Sequence, residues 1–184
     1  MTASVGVACM VVSGLLFFAT GAVSSAGAPD SRAMISSGMR GASLVEWACF
    51  IDMFGYLLLA VLVLYLRQRF HDVGLIDLYS VAGLASVLIG ALGAAMFATA
   101  GPALIREYAA ASASQRYSLT TTLSTLNQIV SIGLWQILEG IPAGVWLVGI
   151  GTSLYHTGRR RLSLCAFVLG GLLLLLAATR ILGY

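Results

Sequence analysis

Ser118–His156 reads SLTTTLSTLNQIVSIGLWQILEGIPAGVWLVGIGTSLYH, about forty mostly apolar residues interrupted at Glu139-Gly140-Ile141-Pro142. A helix needs ~20 residues to cross a ~30 Å hydrocarbon layer, so this stretch is long enough to cross twice. A proline inside a helix loses a hydrogen bond and clashes with the preceding turn. Two membrane helices are therefore expected, over residues 119–138 and 141–155, with a tight turn between them. This reading decides the fold, because it sets on which side of the bilayer every later loop falls.

Composition points the same way. The chain has 184 residues, 59% hydrophobic and 9% charged, with a mean hydropathy of +0.96. Soluble domains carry about 25% charged residues, so there is too little polar surface here to cover a globule in water. Lipid is the expected solvent, and the lipid bilayer the first partner. The net charge of +3 is dispersed along the sequence, so no nucleic acid partner is expected. All ten basic residues are arginine, which excludes Schiff-base chemistry on lysine. Cys9, Cys49 and Cys165 fall in different apolar segments with no C-x-x-C spacing, and small buried core residues are the expectation for them.

Around the central stretch, four more apolar runs complete a six-helix, all-α polytopic bundle forming one integral membrane domain: residues 4–26, 44–66, 75–100 and 162–182. The first run has a small-x-small Ala26-Gly27-Ala28 sequence after it. It lacks a preceding arginine and exceeds the usual ~7–15-residue core of a signal peptide, so it reads as a membrane helix. In the loop after it, Met34, Ile35 and Met39 suit a short amphipathic turn on the membrane surface. Gly101-Pro102 is expected to end the third helix. With six spans, Arg32, Arg40, Arg106, Arg116 and Arg159–Arg161 share one face, and Arg67, Arg69 and Arg180 the other. The positive-inside rule then puts both termini outside the cytoplasm.

Three groups of residues are candidates for function or assembly. Asp52, Asn127 and Gln128 are expected at one depth, level with Gly170-Gly171, as a polar cluster. A carboxylate there is costly, so it marks either a proton or polar-solute site or hydrogen-bonded glue between helices; glue is the commoner use. Glu139 and Arg180 are expected to pair near the opposite surface. Ala82, Ser86, Gly90, Ala94 and Ala98 fall four apart on the third helix and form a small-residue packing face, the expected surface for a homo-oligomer or a membrane-protein partner.

Signatures of catalysis are missing. The sequence has no H-E-x-x-H, G-x-S-x-G or P-loop. His71 and His156 are expected on opposite faces, where they cannot share a metal or haem iron. No catalytic residue, metal or cofactor is expected.

Ser86-Val87-Leu88-Ile89-Gly90, Gly133 to Gly140 (GLWQILEG) and Gly144 to Gly149 (GVWLVG) together resemble a family of uncharacterised bacterial six-helix membrane proteins, domain-of-unknown-function family 4386. The likeness spans most of the chain, with Asp52 at the family's polar position in the second helix. It implies the six-helix fold and a plasma-membrane location, and carries over no catalytic residue. Three functions follow as expectations: a non-enzymatic accessory or self-associating protein, a small proton-linked carrier or channel using Asp52, or an intramembrane enzyme on a lipid-like substrate.

Overall fold

The computed structural model describes Val12, Leu15 and residues 31–183. The expected first helix, residues 4–26, otherwise lies outside the described residues. Those residues are helical almost throughout: α1 (Ser31–Ser36), α2 (Gly38–Arg69), α3 (Ile76–Ala110), α4 (Ala113–Asn127), a π-helical segment (Gln128–Glu139), α5 (Gly140–His156) and α6 (Arg160–Ile181). Among the described residues, four helical runs are long and apolar enough to cross a membrane: α2, α3, the continuous run Ala113–His156, and α6.

The tight turn expected at Glu139–Pro142 is not formed. Residues Ala113–His156 make one helical run of 44 residues. From Gln128 to Glu139 the run has wide, π-type turns, and it returns to α geometry at Gly140. Pro142 lies in the first turn of α5, just after the ladder changes register. There its missing N–H costs less than in an unbroken α-ladder, and the wider preceding turns relieve the clash of its ring. Gly101-Pro102 likewise fails to end α3, which runs on to Ala110 with both residues buried.

Antiparallel contacts set the order of the helices. Tyr56 packs on Gly90, Trp146 on Gly83, Trp135 on Gly93 and Tyr79 on Gly149. Gly144 meets Leu174 and Gly170, and Gly151 meets Phe167. The helices thus form a row, with α3 between α2 and the long run, and α6 against the long run's far side. Each close approach is a glycine notch filled by a larger side chain or a facing backbone, the usual way helices gain packing where lipid offers no hydrophobic drive.

One end of the row is flush. The Phe70–Leu75 connection packs on the end of α5, where Leu66, Phe70, Val73 and Ile76 meet Ile150 and Leu154. The α5–α6 connection is at the same end, so Arg67 and Arg69 stand on the same side as Arg159–Arg161. The expectation that these groups face opposite sides is corrected, and with it the arginine count and the shared side of the two termini lose their basis. The cause is the missing turn, which reverses α6 relative to the expected bundle.

The other end is staggered. At ~1.5 Å per residue the 22 residues of α6 span ~33 Å, one hydrocarbon thickness. The 44-residue run is about twice that length and extends past the end of α6. There Ser112 and Gln115 form a capping box that starts α4. Met34 and Ile35, expected on the membrane surface, are only 2% exposed and pack with Val45, Phe97, Ile105 and Leu123; Met39 faces outward. Cys49 is buried, whereas Cys165 is exposed, against expectation; Cys9 lies outside the described residues.

Candidate functional site

A polar centre forms where α2, α3 and the π segment meet. Its frame is Gly90 on α3, whose lack of a side chain leaves room for the Tyr56 ring on one side. Trp135 enters the neighbouring Gly93 notch and donates its indole N–H to the Gly90 carbonyl at 3.2 Å. The Tyr56 hydroxyl then reaches past α3 and donates to Glu139 Oε2 at 3.0 Å. Asp52, one turn before Tyr56 on α2 and partly buried, acts electrostatically on both Tyr56 and Glu139. Two carboxylates from separate helices and a tyrosine therefore share one neighbourhood.

The expected cluster is rearranged. Asn127 is buried, but it donates to Ser31 Oγ at 3.3 Å and accepts from Ser131 Oγ at 2.9 Å. Gln128, next along, is exposed. The contacts of Asn127 thus lie with α1 and its own helix, and Gly170 lies beside Gly144, far down the row from Asp52. The neighbour that sequence reasoning missed for Asp52 is Glu139, which the expected turn had placed at the other surface.

The expected Glu139–Arg180 ion pair is also replaced. Arg180 Nε donates to Gln136 Oε1 at 2.8 Å, one turn before Glu139, while Glu139 accepts from Tyr56. The ion pairs among the described residues are Arg67–Asp77 at 2.7 Å, His71–Asp72 at 3.0 Å, and Arg106–Glu46 between α2 and α3. Ser86, Gly90, Ala94 and Ala98 are buried and Ala82 partly so, yet they pack inside the chain, where Gly90 receives Tyr56. His71 and His156 stand at the same flush end, both exposed. Among the described residues, no three His, Cys, Asp or Glu side chains are grouped to hold a metal ion.

Tyr56 and Glu139 should behave as a coupled pair. Tyr56→Phe and Glu139→Ala are each expected to lower stability in detergent by about 1 kcal/mol or more, with the double variant costing less than the sum. Strictly additive melting shifts would show that the bond contributes nothing.

Comparison with protein-family models, with curated proteins and with solved structures finds no match to this chain. What the fold and the centre define is a class: a multi-pass, all-helical membrane protein with a hydrogen-bonded carboxylate between its helices.

Proposed function

We propose that this chain is a non-enzymatic protein of the plasma membrane that works as an accessory subunit in a larger membrane assembly. The long apolar helical runs among the described residues support a membrane location. The observation that carries the reading is how the interior is used. The glycine notches are filled by Tyr56, Tyr79, Trp135, Trp146 and Phe167. Asn127, Gln136 and Glu139 hold side-chain partners on neighbouring elements, so the polar groups serve as joints between helices. Such joints are each worth about 0.6–2 kcal/mol in lipid and fix register. Self-association through the Ala82–Ala98 stripe is not part of this reading, because that face is occupied within the chain.

Extraction of native membranes into lipid nanodiscs tests the proposal. The chain is expected to migrate in a stoichiometric assembly larger than itself; migration as a lone chain would remove the accessory role. A second reading, a small proton-linked carrier, is favoured by one observation, the convergence of Asp52 and Glu139 beside Tyr56. Carboxylates at membrane depth are typical of proton relays. On that reading, Asp52→Asn and Glu139→Gln each reduce proton flux into liposomes at least about tenfold. Wild-type flux equal to that of empty liposomes would eliminate it.

A further inference from the structure

The arginines at the two ends of the row are arranged differently: they are scattered at the staggered end, and three are consecutive at the flush end. At the staggered end, Arg106 is paired with Glu46 and Arg180 with Gln136. Arg116 lies over the Tyr108 ring, 5.2 Å from its centroid, and donates to the Ala111 carbonyl at 3.2 Å. Arg40 has no ion-pair partner among the described residues, and of these arginines only Arg106 is paired with a carboxylate. The flush end carries five arginines: Arg67, Arg69, Arg159, Arg160 and Arg161, all exposed. Only Arg67 has a carboxylate, Asp77. Asp72 is turned to His71. Among the described residues, Arg69 and Arg159–Arg161 have no ion-pair partner.

Four guanidinium groups without ion-pair partners therefore share one end of the row, Arg69 on α2 at one edge and the consecutive Arg159–Arg161 at the start of α6 at the other. The densest positive charge is the consecutive triplet Arg159–Arg161, exposed and without a carboxylate partner among the described residues. The place matters as much as the charge. α6 begins at Arg160, and Leu162, Leu164, Val168 and Leu169 below it are exposed apolar residues facing the layer its 22 residues cross. An anion bound at Arg159–Arg161 would thus sit at headgroup height, directly above a surface suited to acyl chains. Arginine's planar fork matches a phosphate oxygen pair, and its apolar stem lies along the helix while the charge reaches the interface.

We propose that the start of α6 at the flush end is a binding surface for anionic phospholipid, with Arg159–Arg161 holding the phosphodiester headgroup and the outer face of α6 receiving the chains. The phosphate could in principle come from solution, and the experiment separates the two sources.

The full chain is placed in nanodiscs of phosphatidylcholine containing spin-labelled phosphatidylglycerol or spin-labelled phosphatidylcholine, and the protein-associated fraction of each is measured. Wild type is expected to prefer the anionic lipid at least about fivefold, the factor a single arginine near the surface supplies. High salt should reduce the preference, because a Debye length shortens as ionic strength rises. Arg159→Gln/Arg160→Gln/Arg161→Gln should abolish it, while the matching Lys substitutions should retain most of it. Equal association of both lipids with wild type would overturn the proposal, as would full preference in a folded triple Gln variant. The wild-type and salt measurements decide the matter even if that variant misfolds. Loss of the preference on adding inorganic phosphate at matched ionic strength would reassign the site to a free anion and overturn the lipid assignment.

Discussion

Gly170→Leu is expected to destabilise the protein by about 3 kcal/mol or more, while Gly171→Leu, one residue along, should change stability by less than about 0.5 kcal/mol. The two glycines are adjacent in sequence and indistinguishable by composition. A Cβ on Gly170 would lie 2.8 Å from the Gly144 carbonyl oxygen and 3.1 Å from Leu147 Cβ. Neither is the free end of a flexible side chain, so α5 and α6 must separate to admit it. A Cβ on Gly171 meets nothing within 4 Å and points toward lipid, where leucine is welcome. Thermal unfolding in one detergent, read by circular dichroism for wild type and both variants, checks the pair. Equal melting of the two variants would mean that α6 does not pack on α5 through this crossing. That result would also undo the antiparallel arrangement that puts all five flush-end arginines on one side.

The end of α2, the start of α3, the end of α5 and both ends of α6 were legible because apolar run length and flanking arginines are strong markers in a membrane sequence. The expected 44–66, 141–155 and 162–182 lie within or a residue from the observed helices. What misled was the meaning of proline. Pro102 and Pro142 both read as helix ends, and both lie inside continuous helical runs. Proline's cost depends on whether neighbouring helices and local changes of ladder can re-satisfy the freed groups, and in a membrane they can. That information resides in the tertiary contacts of Phe97, Ile105 and Trp135 and in the π register, not in spacing. One misplaced turn then propagated. It reversed α6, split the arginines between two faces, and paired Glu139 with Arg180 instead of Tyr56.

The candidate site was half legible for a similar reason. Spacing by four identified Gly90 correctly as a packing position. It could not show that α3 is covered on two faces, which is why Gly83 and Gly93, off the stripe, matter as much. Asp52 was singled out by its cost in lipid. Its neighbour Glu139 was placed by the supposed turn, and Tyr56 carried no mark at all beyond being a tyrosine one turn from Asp52. In hindsight the one available clue was that a tyrosine at membrane depth requires a hydrogen-bond partner.

Gly90→Leu is the second substitution with a large expected effect, about 3 kcal/mol, and it links packing to the polar centre. The Tyr56 ring occupies the space any side chain at position 90 would need. Leucine there must expel the ring, which breaks the 3.0 Å bond to Glu139 and crowds Trp135, whose indole N–H is held by the Gly90 carbonyl. The loss therefore includes overpacking and a stranded membrane-depth carboxylate together. If the notch is intramolecular, shrinking its occupant should help: Gly90→Leu/Tyr56→Ala is expected to recover at least about half of the lost stability, because the leucine then fills the space the ring vacates. If position 90 instead faces a second copy of the chain, Tyr56→Ala has no reason to compensate, and the variant should alter oligomer size rather than the melting of the single chain. Melting and mass measured on the same three detergent samples separate the cases. Rescue without a change in mass places Tyr56 in the Gly90 notch of its own chain, and absence of rescue removes the frame on which the Tyr56–Glu139 centre is built.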